Sequence, residues 1–181
     1  MNITDGTGGG YAAGVTSDNR LRTYSGQESE IAFQSRVNEN AYVWTMSADL
    51  GADKCAIYLR NDSDTPLLID KIFIWGSAAA TFEVYVGTNK ITVAGTAVTG
   101  VNLNTESSEI ADATCTHTET GADAGGTLTL VQTIQAGAAQ KEIVEWNGAL
   151  SLGRLGEIAV NVVTDIALTS VTILGYFQPI A

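Results

Sequence analysis

The chain has no stretch able to cross a bilayer as a helix: no uninterrupted apolar run approaches the roughly 18 to 20 residues required. At its N-terminus there is no basic region followed by an apolar core and a small-residue cleavage site. No secretory signal is read there, and folding in the cytosol is expected. Basic residues are scarce. Nine Lys and Arg stand against 20 Asp and Glu, a formal net charge of -11, and no Lys/Arg cluster overrides that field locally. Phosphate backbones and anionic surfaces are repelled, which argues against nucleic-acid and membrane partners. The acidity is dispersed, with no like-charged run that would mark a solvating tail, so its simplest role is solubility.

Chemistry-bearing residues are equally sparse, with two cysteines and one histidine in the whole chain. Cys55 and Cys115 are far apart and in no metal-ligand spacing. A disulfide between them stays open on sequence grounds, but a cytosolic origin favours two free thiols. Cys55 alternates with Ile57 and Leu59 in residues 55–59 (CAIYL), the pattern of a buried thiol acting as a small hydrophobe. Cys115, His117 and Glu119 would share one face of an extended segment. Structural zinc sites draw four ligands, usually from two chain segments, and no second pair is present, so an exposed histidine in a threonine-rich strand is expected. Asn61, Asp62 and Asp64 open like a calcium loop but lack its central glycine and distal glutamate, which leaves a polar turn. Gly6 and Gly8 to Gly10 have neither the preceding strand nor the following helix of a phosphate-cradling loop. Asp70, Glu83, Glu145 and Glu157 lie on expected strands, but two-carboxylate hydrolysis needs a separation of roughly 5 to 10 Å that sequence spacing does not supply. No nucleophile motif occurs. The expectation is no catalytic residue, no metal and no cofactor: not an enzyme.

What is present is strand-forming. Of the 181 residues 45% are hydrophobic and only 16% charged, the remainder leaning on Thr, Ser, Asn, Gly and Ala. This is too apolar for a disordered chain and without the periodicity of a helical one. The length suits one domain plus an appendage. Residues 67–75 (LLIDKIFIW) form the most apolar run, following the turn cluster 61–66 (NDSDTP). With Leu68, Ile72 and Ile74 on one face and Ile69, Phe73 and Trp75 on the other, they read as a central strand covered on both sides. Residues 41–46 place Tyr42 and Trp44 together, opposite Val43 and Thr45. Residues 81–86 alternate strictly, with Phe82, Val84 and Val86 opposed to Thr81, Glu83 and Tyr85. Residues 91–93 are expected as their hairpin partner across the turn 87–89.

Residues 96–123 are polar and read as a long excursion between strands. Strand character resumes at 126–134, with Leu128, Leu130, Gln132 and Ile134 on one side, and at 141–146, ended by an Asn147-Gly148 turn. The segment 149–163 follows, with Ile158, Val160 and Val162 on one face. The last strand, 168–177, has Val171, Ile173 and Phe177 inward and Ser170, Thr172 and Tyr176 outward, and pairs by its hydrophobicity with residues 67–75. About eight strands with no helical pattern define the fold class: an all-β antiparallel β-sandwich of jelly-roll or Greek-key type. It spans residues 26–181, preceded by an extended Gly-rich N-terminal arm at residues 1–25 that is too poor in large apolar side chains to form a core. Tyr11, Leu21 and Tyr24 are the arm's natural anchors on a partner. Trp44, Trp75 and Trp146 are candidates for the core or a subunit interface.

The opening Asp5-Gly6-Thr7-Gly8-Gly9-Gly10-Tyr11 and the following Ala13-Gly14-Val15-Thr16-Ser17-Asp18-Asn19-Arg20-Leu21 resemble the start of a group of small virion proteins of tailed bacteriophages. In that group a DGTG-type, NRL-ending arm precedes a β-rich domain. Residues 96–118, with VTGVNLN and ADATCTHT, are similar to a middle segment of such proteins. Residues 148–160 (GALSLGRLGEIAV) resemble a turn-strand signature of capsid-associated sandwiches. The resemblance implies a structural role on the virion without enzymatic activity. The first expectation is a capsid decoration or accessory (cement) protein, a homotrimer bound to the major capsid protein or other virion proteins, made in the host cytoplasm. The second is a tail or fibre component that binds a host receptor or glycan through residues 96–123, although that loop has no aromatic side chain for a sugar.

Overall fold

The computed structural model describes residues 3–4, 12–13, 29–88, 95–117 and 128–178. Tyr11, Leu21 and Tyr24 lie outside the described residues, as do residues 91–93 and Glu119. The elements in chain order are β1 (Ile3–Thr4), β2 (Ala12–Ala13), α1 (Glu30–Phe33) running into a π-helical turn (Gln34–Asn38), β3 (Ala41–Leu50), β4 (Lys54–Asn61), β5 (Leu67–Gly76), β6 (Ala80–Gly87), β7 (Thr96–Ala97), β8 (Val101–Asn102), β9 (Ala113–His117), β10 (Thr129–Ala136), β11 (Lys141–Leu152), β12 (Glu157–Val162) and β13 (Ile166–Phe177). β1 and β2 pair with each other, antiparallel.

Two antiparallel sheets face each other. Sheet I has the order β11-β5-β13-β3-β8, and sheet II the order β10-β6-β12-β4-β9-β7. Among the long strands, the chain changes sheet at every step from β3 to β6 and again from β10 to β13. This gives β11-β5-β13-β3 in one layer and β10-β6-β12-β4 in the other, the double Greek key of a jelly roll. The excursion between β6 and β10 is not one exposed loop: β8 extends sheet I beside β3, and β9 and β7 extend sheet II beside β4.

The core lies between the layers, where Trp44, Ile57, Leu59, Ile72, Ile74, Phe82, Ile158, Val160, Val171 and Ile173 have no exposure. Each such aliphatic or aromatic side chain stabilises the fold by roughly 1.5–3 kcal/mol relative to water. β5 is central, with β11 on one side and β13 on the other, so its pairing with the last strand is as expected. Both flanks of β6 are taken, by β10 and β12. The expected hairpin partner, residues 91–93, lies outside the described residues.

Three of the inside-outside assignments change because strands carry bulges, each of which inserts an unpaired residue and reverses the alternation beyond it. In β5 the extra residue is Asp70, with Leu174 opposite Lys71 and Gly175 opposite Ile69. Leu67 and Ile69 thus point inward together with Ile72 and Ile74, while Phe73 and Trp75 face outward, half-buried. The strand is not apolar-covered on both sides along its length. In β4 the extra residue is Ala56, so Cys55 is buried on the face opposite Ile57 and Leu59. In β10 the break between Leu130 and Gln132 separates exposed Leu130 from buried Ile134 and puts Leu128 in a different cluster. In β11 the Asn147-Gly148 pair does not end the strand. Both adopt positive φ (50° and 78°) inside a wide bulge spanning Glu145 to Leu150. Left-handed residues suit a bulge as well as a turn.

Before β3, Ser29 caps α1 by accepting from the Ala32 amide at 3.4 Å. Buried Gln34 bridges the short helix, donating to Glu30 and accepting from Asn38, each at 2.8 Å. One helical turn is too short to leave a readable period in the sequence.

Candidate functional site

The side of the sandwich formed by β10 and β11 is open. These are the outermost strands of sheets II and I, and neither has a further strand partner among the described residues. Leu130 and Val131 on β10 are 46% and 48% exposed, and Ile143 on β11 is 49% exposed. Long edges with unpaired backbone groups are templates for pairing with other chains. The opposite side ends in β7 and β8, two residues each, which offer little to a partner.

A second feature is a groove of about 440 Å³ on the outer face of sheet I, lined by Ser47, Phe73, Ile74, Trp75, Lys141, Ser170 and Thr172. Strand register builds it in two rows. Thr45, Thr172, Phe73 and Ile143 are successive partners across β3, β13, β5 and β11, and Ser47, Ser170, Trp75 and Lys141 form the next row. The β3/β13 half carries hydroxyls and the β5 half carries aromatic rings. Thr45 and Thr172 hydroxyls lie 3.0 Å apart in a hydrogen bond, Ser170 Oγ donates to the Met46 carbonyl at 3.1 Å, and Lys141 Nζ sits 4.1 Å from the Phe73 ring centroid.

The outer face of sheet II carries a smaller apolar cluster of Cys55, Tyr58, Tyr85, Leu128 and Ala159. Beside it Glu157 is fully buried. Its Oε1 accepts from the Tyr58 hydroxyl at 2.9 Å, while Oε2 has no partner among the described residues. Burial, the bond to Glu157 and that carboxylate's charge push the Tyr58 hydroxyl well above the ordinary tyrosine range. The Tyr85 hydroxyl donates to Glu83.

The other sequence candidates serve structure. Buried Asn61 organises the 61–66 turn, donating to the carbonyls of Thr65 at 2.9 Å and Leu152 at 2.8 Å, and accepting from the Ser63 amide at 2.9 Å. Asp62 pairs with Arg60 at 2.7 Å and accepts from Thr114 at 2.6 Å. Partial burial pushes its carboxyl up, but Arg60 and Thr114 outweigh that and hold it low. Asp64 pairs with Arg154 at 2.8 Å in open solvent. These three oxygen-bearing side chains thus tie a polar turn together. Asp70, at the β5 bulge, is buried, and its carboxyl is raised by desolvation against the opposing pull of Lys71. Glu145 pairs with Lys71 at 2.9 Å.

His117 ends β9 half-buried, with Nδ1 unpartnered among the described residues. It is less exposed than the threonine-rich context implies. Cys115, two residues earlier, is in the core, and neither cysteine is in a disulfide. Among the described residues no group of His, Cys, Asp and Glu is arranged to hold a metal ion. Of the tryptophans, Trp44 is core, Trp146 packs partly buried against it, and Trp75 faces the groove. The outward positions of Thr45, Ser170 and Thr172 were readable from alternation. Their meeting with Phe73 and Trp75 depends on the register of β13 against β5, which alternation within one strand does not give.

No family model matches the chain, and comparison with curated proteins and with solved structures finds none similar to it.

Proposed function

We propose that this chain is a structural protein of a phage virion, a capsid decoration or accessory protein that stabilises the head by bridging capsid subunits. The observation that carries the reading is the open β10/β11 side, where two long edge strands expose Leu130, Val131 and Ile143. An edge of this kind gives a neighbouring chain both backbone pairing and an apolar contact. Copies that each touch more than one capsid subunit add contacts that must break before the shell expands or ruptures. The edge serves association between copies as a homotrimer, leaving Tyr11, Leu21 and Tyr24 to anchor the N-terminal segment on the major capsid protein or another virion protein. The resemblance of residues 5–21, 96–118 and 148–160 to phage virion proteins supports the same reading.

Cryo-electron microscopy of particles carrying the protein tests it. The expected result is density repeated over the capsid lattice with the β10/β11 side against a neighbour. Val131→Asp combined with Ile143→Asp is expected to reduce occupancy on particles while leaving the isolated fold intact, since both side chains are on the surface. Density confined to the tail or a single vertex overturns the decoration reading.

A further inference from the structure

We propose that the groove on the outer face of sheet I is a saccharide-binding site, taking a neutral hexopyranose unit with its apolar ring face on Trp75 and its hydroxyls toward Ser47, Ser170 and Thr172. This goes beyond the virion reading and does not depend on it. Sugar rings present an apolar C–H face and a rim of hydroxyls, so a receptor needs an aromatic plate beside small donors and acceptors. Sheet I supplies that division across one strand boundary, with hydroxyls on β3 and β13 and rings on β5.

The dimensions agree. Side chains on one face of a strand are two residues apart, about 6.7 Å, and three neighbouring strands span roughly 9.6 Å. The groove's volume of about 440 Å³ lies within the range of about 300–1,000 Å³ typical of small-ligand sites. That is room for one or two sugar rings.

The same chemistry disfavours other occupants. Nucleic acid would meet a formal charge of -11, with Lys141 the only cation lining the groove among the described residues and already seated over Phe73. Over β13 and β5, whose backbones are committed to ladders on both sides, an extended peptide finds no strand edge, and only the Lys141 end of the groove reaches edge strand β11. An acyl chain would desolvate the hydroxyl half without giving it partners. A second copy of the chain would bury a half-hydroxyl surface, whereas the cores of homodimer interfaces are mostly apolar.

The test uses the full chain labelled with nitrogen-15 and a panel of methyl glycosides of glucose, galactose, mannose and N-acetylglucosamine, with lactose and cellobiose, at millimolar concentration. At least one probe is expected to shift the Trp75 indole signal and the amides of Ser47, Ser170 and Thr172 saturably, leaving buried Trp44 unmoved. Trp75→Ala is expected to weaken binding by about tenfold or more through loss of the ring contact, and Ser47→Ala by about threefold. Ser47 is exposed, so its variant folds even if the Trp75 variant does not. The proposal is overturned if no probe gives a saturable shift, or if the shifts map away from the groove. It is also overturned if the groove signals move with protein dilution alone, which would identify the face as a contact between copies.

Discussion

Removing one hydroxyl from Tyr58 gives a direct measure of what holds the outer face of sheet II. Tyr58 is on β4 and Glu157 on neighbouring β12; both are buried, and the bond of 2.9 Å is the carboxyl's one hydrogen bond among the described residues, since Oε2 has none there. Tyr58→Phe keeps the ring and its packing, so almost no cavity term enters, but it leaves the carboxyl buried with no donor. A hydrogen bond to a charged group contributes about 1.5–3 kcal/mol, so a loss of about 2 kcal/mol is expected. With a urea m-value of about 2 kcal/mol/M the unfolding midpoint falls by about 1 M. For a chain of this length the melting temperature falls by roughly 4–8 °C.

The assay is urea unfolding at neutral pH followed by circular dichroism and tryptophan fluorescence, completed as a double-mutant cycle with Glu157→Leu. Replacing both partners by apolar groups is close to neutral, so the double variant should be more stable than the sum of the single losses predicts, by more than about 1 kcal/mol. A Tyr58→Phe protein within about 0.5 kcal/mol of the parent, or strictly additive variants, would refute the reasoning. The pH dependence gives a second readout. Burial and Glu157 raise the Tyr58 pKa in the folded state, so the protonated hydroxyl is worth more folded than unfolded. Its contribution is complete below the unfolded value near pH ~10 and is lost as pH rises through the folded value. Tyr42 and Tyr176 are raised by burial in the same direction. Stability should therefore decline above about pH 10, less steeply in the Tyr58→Phe protein.

Three further outcomes are expected. Gly148→Ala should destabilise by about 2 kcal/mol or more, because the residue has φ +78° and an added Cβ would lie 2.5 Å from the Tyr176 hydroxyl; thermal melts check this, with Gly153→Ala, where a Cβ meets nothing within 4 Å, as the comparison. Asp70→Asn should raise stability at neutral pH by on the order of 1 kcal/mol. Its folded carboxyl is raised by burial, so the unfolded state favours ionisation and the ionised form costs stability above about pH 4; the gain should vanish in urea titrations below that pH. Cys55 and Cys115 should both resist a thiol reagent in the folded protein and react together on denaturation, since both are buried, neither is in a disulfide, and burial pushes the Cys115 thiol up.

Much of the architecture was determined by the sequence alone. Runs such as residues 67–75 and 168–177 are too apolar and β-branched to be anything but strands, and their hydrophobicity placed them side by side. Tyr42 with Trp44, Phe82 with Val84, and Val171 with Ile173 point inward as their alternation requires, because a period of two follows from the pleat itself. Tertiary structure decided what alternation cannot carry. Asp70, Ala56 and the Leu130–Gln132 break each reverse a face, while the Asn147-Gly148 bulge carries β11 past an expected turn, and a bulge depends on how the partner strand is registered. The same dependence hid the groove and the Tyr58–Glu157 pair. Serines and threonines of β3 and β13 meet the rings of β5, and Tyr58 meets a carboxyl 99 positions away, only because Greek-key connections bring distant strands together. Local residue patterns set which segments become strands; the long-range pairing sets which side chains meet.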